Sequence, residues 1–186
     1  MRIAPVHIDD VPQLRGLLES TEQYMGFMSQ DTLLMAHCPD MLVSMGPMVQ
    51  SILAGGTVNG GLKRMIGYMV SNIAGCKYCT AHTANASGTY GISLDKMNAI
   101  WEYETSNLFT DGERAALRLA HHAAMQPNAT TDSDIAHLKQ YYSDAEIIEM
   151  VYVISLYGFL NKFNHTLQTT IEDKPLAALN KLDIHE

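Results

Sequence analysis

The spacing of apolar residues along the chain is helical nearly throughout. Between Leu62 and Ile73, apolar side chains recur every three or four positions, which places them on one face of a helix. From Ala145 to about Leu167 the chain is apolar almost all round, which is typical of a helix that lies centrally or at a subunit interface. No window alternates at period two for long enough to indicate a strand. The sequence therefore predicts an all-α fold.

Start and stop signals divide the chain into about eight helices joined by short loops. Two capping boxes, Thr110 to Glu113 and Ser143 to Glu146, mark helices that reach about Ala124 and Leu167. One further helix is predicted to begin near residue 12. The remaining predicted helices cover residues 30–37, 39–53, 62–73, 76–87, 93–104 and 131–142. Short loops favour antiparallel packing of neighbouring helices. We therefore expect residues 1–186 to form one domain, a helical bundle that assembles into an oligomer.

Composition and charge narrow the possible functions. The chain has 186 residues, 47% of them hydrophobic, and a net charge of −8, so a nucleic-acid-binding surface is not expected. The longest apolar stretch, Ile147 to Leu160, is interrupted by Glu149 and is too short to span a membrane. The first residues lack the apolar core of a signal peptide. We expect a cytoplasmic protein without a membrane or nucleic-acid partner.

The residues most suited to chemistry are Cys76 and Cys79, followed by His82. In a C-x-x-C pair on a helix, the two sulfurs lie about 60° apart around the axis. His82 flanks Cys79, so any histidine partner along the helix would belong to that cysteine. Gly75 indicates that the helix starts at the pair, and free amide groups at a helix start lower a thiol pKa.

Two such thiols support a redox cycle without a cofactor. A thiolate that attacks a hydroperoxide becomes a sulfenic acid, and the second thiol condenses with it to give a disulfide and water. A thiol or dithiol reductant, small or protein, must then reopen the bond. The pattern predicts a thiol-dependent peroxidase or dithiol oxidoreductase that acts on small hydroperoxides.

Other interpretations of the pair stay open. With His82, the two cysteines supply three zinc ligands, and a distant side chain would have to supply the fourth. Thr80 stands where covalent haem attachment requires histidine, and no strand precedes the pair as in a thioredoxin fold. The alternative function is a non-catalytic, oligomeric helical protein whose pair senses redox state or binds zinc. Two buried, inert cysteines are the remaining possibility.

The stretch from Leu62 to Ala86, a helix followed by G-C-x-Y-C and a histidine, resembles the carboxymuconolactone decarboxylase superfamily. Within it, the alkylhydroperoxidase AhpD-like branch is most similar, and a weaker resemblance extends from about Leu33 to Leu167. The resemblance implies a helical homo-oligomer with peroxidase (peroxiredoxin) activity. It also implies that Cys79 attacks the peroxide, that Cys76 resolves the intermediate, and that a histidine and a glutamate relay protons to the thiol.

Two positions depart from the family pattern. Arg64 stands where the family has its glutamate, and an arginine cannot accept a proton. It either stabilises a thiolate, binds an acidic ligand or lies on the surface. His82 comes one residue earlier than usual, with Thr83 in the common place. A carboxylate that replaces the family glutamate in the relay could come from the segment after Trp101, which contains Glu102, Glu104 and Glu113.

Two further positions carry expectations. Cys38 has no cysteine partner in the pattern, and we expect it to be a buried small hydrophobic residue. Asn164 and His165 lie late in the long apolar helix, where they would line a pocket or contribute to a subunit contact.

Overall fold

The computed structural model describes residues 1–182, and within them the chain forms ten α-helices and no strand, as predicted. Three short 3-10 helices add to them, at Ile8–Asp10, Pro12–Leu14 and Ala99–Glu102. The α-helices are α1 (Arg15–Met25), α2 (Gln30–Met35), α3 (Pro39–Ala54), α4 (Gly60–Ile73), α5 (Lys77–Thr89), α6 (Leu94–Asn98), α7 (Asp111–Ala124), α8 (Asp132–Leu138), α9 (Asp144–Leu167) and α10 (Asp173–Leu179).

Most predicted boundaries are confirmed by local capping. Thr110 and Ser143 accept the backbone N–H groups of Glu113 and Glu146, and α7 ends at Ala124 as expected. The predicted helix over 93–104 is divided into α6, which ends at Asn98, and the 3-10 helix Ala99–Glu102. The predicted helix over 131–142 ends earlier, at residue 138. The last helix, α10, was not predicted.

Helix α4 is the centre of the fold, with α5, α7 and α9 packed around it. Every residue from Gly61 to Ser71 is buried, the charged residues included. The ammonium group of Lys63 lies 2.8 Å from the carbonyl of Ile52 and 2.5 Å from a carboxylate oxygen of Glu149. Its charge is therefore compensated inside the protein.

Helices α4 and α9 approach closely at Gly67. A Cβ atom at this position would lie 2.3 Å from the ring of Tyr157, far inside van der Waals contact. Glycine is therefore required where the Tyr157 ring crosses α4.

Helix α9 is central and partly exposed. One side contributes Met150 and Val153 to the core, whereas large apolar side chains on the other side are exposed, among them Ile148, Tyr152 and Phe159. The predicted subunit interface on this helix stays a prediction. No helix in the described residues combines the length and hydropathy of a membrane span.

The expectation for Cys38 was wrong, and one of the alternatives for Arg64 is excluded. Cys38 is exposed, as the residue that caps the start of α3. Arg64 is not a surface residue, since only 5% of it is exposed. Its position lies off the main apolar stripe of α4, but neighbouring helices cover that side as well.

Candidate active site

Cys76 and Cys79 lie at the start of α5, directly after the turn that joins it to α4. Gly75 takes a left-handed backbone conformation (φ 65°), which reverses the chain between the two helices. The amide of Cys76 then bonds to the carbonyl of Ser71 at 3.0 Å, and Cys76 caps α5. Both cysteines are free thiols, and they are buried, with 1% and 4% of their surface exposed.

The two thiols differ in acidity. A hydrogen bond from the Cys79 thiol lowers the pKa of Cys76 to about 7, and the amides of Tyr78 and Cys79 act in the same direction. The same contact, together with burial and the charge of Asp31, raises the pKa of Cys79. The hydrogen bond from Cys79, supported by the amides at the helix start, therefore favours the thiolate on Cys76. This order is the reverse of the roles that the family resemblance implies.

His82 is paired with a carboxylate from the far end of the chain. Its Nε2 atom lies 2.7 Å from Oε2 of Glu172, and its ring stacks on Tyr78 with 4.1 Å between centroids. Helical geometry predicts His82 beside Cys79. In the structure, the Nε2 atom of His82 is directed to the carboxylate of Glu172. The edge of Phe27 packs on the same imidazole at 5.4 Å.

Glu172 joins three segments of the chain. Besides His82 on α5, its Oε1 atom accepts the Tyr78 hydroxyl at 2.8 Å and the Gln30 amide at 2.6 Å. Burial alone would raise the pKa of this carboxyl group, but the hydrogen bond and charge of His82 and the Gln30 amide outweigh burial and lower it. Burial raises the pKa of Tyr78, so its hydroxyl stays a donor. The result is an ionised carboxylate held by three partners.

Cys79 also contacts a side-chain amide from α9. Asn164 Nδ2 lies 3.6 Å from the Cys79 sulfur and 3.3 Å from Oδ2 of Asp31. The backbone amide of Asp31 bonds to the Tyr78 hydroxyl at 3.2 Å. Asp31 therefore connects the amide at Cys79 with the hydroxyl at Glu172. Asn164 was one of the expected pocket residues, whereas no sequence signal pointed to Asp31.

The carboxylates sought for the relay lie elsewhere. Glu104 binds Arg118 and Glu113 binds Lys96, each with an N–O distance of 2.7 Å, and Glu102 lies in the 3-10 helix after α6. The carboxylate that approaches His82 is Glu172, which lies beyond the part of the chain covered by the resemblance. Glu172 lies in the short segment before α10, and no sequence motif in that segment pointed to it.

Arg64 lies on α4 beside two tyrosines, Tyr90 and Tyr157. Its Nη2 atom is 3.2 Å from the Tyr90 hydroxyl, and the guanidinium lies 4.8 Å from the centroid of the same ring. Burial alone would lower the pKa of Arg64, but the hydroxyls of Tyr157 and Tyr90 outweigh it and keep the cation protonated.

The zinc interpretation finds no complete ligand set. Within residues 1–182, no group of three or more His, Cys, Asp or Glu side chains is arranged to hold a metal ion. The nearest candidate for a third ligand, His82, directs its Nε2 atom to Glu172.

Known proteins were compared with the chain by sequence and by structure. A scan against models of protein families gave no match. Among curated sequences, the uncharacterized protein YnjA of Escherichia coli (strain K12) is 24% identical over 106 residues, which span 57% of this chain and 58% of YnjA. The chain thus matches less than two thirds of that relative.

Solved structures match nearly the whole chain. The debrominase Bmp8 in its apo form is 31% identical, with 96% of each chain covered and a TM-score of 0.88. Bmp8 in complex with 2,3,4-tribromopyrrole gives 30%, 97% of each chain and 0.89. An uncharacterized peroxidase-related protein from Ralstonia eutropha JMP134, described as an alkylhydroperoxidase AhpD core, is 17% identical over 94% of this chain and 93% of its own, with a TM-score of 0.84. The chain therefore belongs to the same family as the debrominase Bmp8, and it has the AhpD-like helical fold.

Proposed function

We propose that the protein is a dithiol oxidoreductase, in which Cys76 and Cys79 reduce a small electrophilic substrate by two electrons and become a disulfide. The observation that carries the proposal is the pair of free thiols at the start of α5, where a hydrogen bond from the Cys79 thiol lowers the pKa of Cys76. A thiolate is the nucleophilic form, so a lowered pKa favours reaction at Cys76. His82 on α5 and Glu172, directly before α10, form a hydrogen-bonded pair beside the thiols that orders the groups around it.

The first candidate substrate is a hydroperoxide. The Cys76 thiolate attacks the terminal oxygen, the O–O bond breaks, and the alkoxide takes a proton and leaves as an alcohol. The Cys79 thiol then attacks the sulfenic acid on Cys76, and water leaves as the disulfide forms. One hydroperoxide and two thiols thus give one alcohol, one water and one disulfide, which an external thiol or dithiol reduces again. The family resemblance implies the same cycle with the two cysteines exchanged.

The second candidate is a brominated aromatic compound. It is favoured by the 31% identity to the debrominase Bmp8 over 96% of the chain, whereas the peroxidase-related protein from Ralstonia is only 17% identical. Here the thiolate attacks bromine, the electron pair of the C–Br bond stays on carbon, and that carbon takes a proton. The second thiol attacks the sulfenyl bromide and bromide leaves. One bromoarene and two thiols give the debrominated arene, bromide, a proton and a disulfide.

Single-turnover measurements separate these functions. Fully reduced protein is mixed with cumene hydroperoxide or with 2,3,4-tribromopyrrole, and the disulfide, the alcohol and the free bromide are quantified. We expect one disulfide per product molecule. A Cys38→Ser variant is the matched control, because its thiol is exposed and lies outside the pair. Full turnover of either substrate by a Cys76→Ser/Cys79→Ser variant would contradict the proposal.

The attacking cysteine is identified with the single variants. If Cys76 attacks, Cys79→Ser retains a sulfenic acid on residue 76 that a dimedone probe labels, and Cys76→Ser gives no label. The opposite labelling would support the order implied by the family. A protein that turns over neither substrate and holds about one zinc per chain would instead be the non-catalytic zinc-binding alternative.

A further inference from the structure

Two carboxylates from distant segments lie close to the thiols. Asn164 Nδ2 is 3.6 Å from the sulfur of Cys79 and 3.3 Å from Oδ2 of Asp31, so both atoms contact one amide nitrogen. The charge of Asp31 is therefore no more than about 7 Å from this sulfur, a distance at which charges inside a protein affect each other strongly. The second carboxylate, Glu172, bonds to His82 on the helix that carries the thiols. Negative charge thus reaches α5 both from α2 and from the segment before α10.

The charge around the thiols is negative in either protonation state of His82. Carboxylates are ionised at neutral pH, so Asp31 and Glu172 contribute two negative charges. A protonated His82 cancels one of them, and a neutral His82 cancels none. Within residues 1–182, neither carboxylate forms a salt bridge with a Lys or Arg side chain. After the hydrogen bond between the thiols and after burial, the charge of Asp31 contributes to the pKa of both thiols and raises it.

The hydrogen-bond donors beside the thiols are already bonded to negative groups. The Tyr78 hydroxyl and the Gln30 backbone amide donate to Oε1 of Glu172, at 2.8 Å and 2.6 Å. The backbone amides at the start of α5, which would otherwise attract an anion, bond to the sulfur of Cys76. An incoming anion therefore meets repulsion, and no donor offsets the loss of its hydration.

These contacts determine which electrophiles approach the thiols easily. One that carries a carboxylate is repelled by both acidic side chains, whereas an uncharged or cationic one is not. Because both thiols are buried, salt screens this repulsion only weakly. We infer that Asp31 and Glu172 make the dithiol selective for uncharged or cationic electrophiles and exclude those that carry a carboxylate. The inference rests on the proposed function, since it concerns the substrate class of the same dithiol.

The competing explanation is the net charge of the whole chain. A net charge of −8 disfavours anionic reagents at every thiol, the exposed Cys38 included. Salt at about 0.5 M removes most of such a surface field but has much less effect on charges inside the protein. The two explanations therefore differ in their salt dependence and in the effect of removing the charge of Asp31.

Alkylation with iodoacetamide and with iodoacetate compares an uncharged electrophile with an anionic one. In both reactions the thiolate attacks the methylene carbon and iodide leaves, so the ratio of the two rates does not depend on the thiolate fraction. Peptide mapping follows Cys76 in the folded protein, with the urea-unfolded protein as the reference. In about 0.5 M salt, we expect folding to raise the iodoacetamide-to-iodoacetate ratio at Cys76 by about tenfold or more, with little change at Cys38.

Two variants assign this selectivity to the carboxylates. Asp31→Asn keeps the shape of the side chain and removes its charge, and we expect the ratio at Cys76 to fall to about a third of the wild-type value or less. Glu172→Gln should change the ratio in the same direction. The matched control is Asp144→Asn, whose carboxylate lies at the start of α9, about 30 Å along that helix from Asn164. This control should keep the wild-type ratio.

Three results would overturn the inference. The first is a ratio at Cys76 that folding leaves unchanged. The second is a raised ratio that disappears in salt or survives in both acidic-residue variants, which would assign it to the net charge. The third is a folded protein whose Cys76 reacts with neither reagent, because a closed site selects nothing.

The proposed function is tested separately, by disulfide formation with cumene hydroperoxide in the wild-type protein. Disulfide formation without charge selection removes only the present inference. Charge selection in alkylation without turnover of any substrate removes the dithiol chemistry and leaves an acidic site around two thiols.

Discussion

His82 and Glu172 form a hydrogen-bonded pair across 90 residues of sequence, with 2.7 Å between Nε2 and Oε2. This contact fixes the imidazole through the residue that caps α10. The chain therefore builds its site from segments that are distant in sequence. The thiols and the histidine come from α5, and the carboxylate comes from the segment that covers them.

We predict that Glu172→Gln destabilises the protein by about 1–3 kcal/mol, since it removes the charge that three hydrogen-bond donors share. The carboxyl pKa is lowered in the folded state, so its contribution is present above the unfolded value of about 4.3 and is lost as the pH falls through the folded value. Urea unfolding at several pH values measures this. Wild type and Glu172→Gln should converge in stability below about pH 4, and a constant difference at all pH values would contradict the assignment.

The acidity of Cys76 is predicted to depend on Cys79. In the Cys38→Ser background, alkylation of Cys76 should rise with a midpoint at a pH of about 7. In Cys79→Ala, the donated hydrogen bond is lost, and the midpoint should move toward the ordinary thiol value of about 8.5. Peptide mapping by mass spectrometry follows each thiol separately. A midpoint that does not move in Cys79→Ala would show that the helix start alone sets the acidity.

Tyr78 is predicted to act through its hydroxyl group. Tyr78→Phe keeps the ring that stacks on His82 but removes the hydrogen bond to Glu172. We expect a loss of about 1 kcal/mol in the free energy of unfolding. We also expect a lower kcat with little change in KM, because the imidazole and carboxylate lose their alignment. Tyr78→Leu is the comparison, since it removes the stacking as well. Equal kinetics for Tyr78→Phe and the wild type would show that the hydroxyl has no positioning role.

The buried ion pair of Lys63 and Glu149 is predicted to stabilise the loop before α4. Glu149 also accepts the Thr57 amide at 3.0 Å, so Lys63→Met leaves a carboxylate with too little positive charge around it. We expect a loss of about 3 kcal/mol in urea unfolding. Lys63→Met/Glu149→Leu should recover part of that loss, because no charge is then left unpaired. A larger loss in the double variant would assign the effect to the loop contacts of Glu149.

The parts of the fold that depend on local chemistry were predictable. Capping boxes at Thr110 and Ser143 signal helix starts within four residues of sequence, and both form. The C-x-x-C pair is likewise a local pattern, and so is the turn at Gly75 before it. In each case the residues that determine the structure are neighbours in the chain.

The parts that depend on distant segments were not predictable. The burial of Arg64 arises because three helices surround α4, which the spacing within α4 does not reveal. Glu172 has no motif around it, and only the packing of α10 against α5 brings it to His82. Cys38 was misjudged for the converse reason, since a small thiol next to a proline carries no information about whether a core lies beneath it.

The burial of both sulfurs bears on how the protein would be recycled. A protein donor of electrons must bring its own sulfur to about 2 Å from its target to form a mixed disulfide, and an outer surface cannot do so when 1% and 4% of the two cysteines are exposed. Regeneration thus depends either on a small thiol that diffuses inward or on a transient opening of the segment around Glu172. In the second case, the frequency of that opening sets the upper limit on turnover.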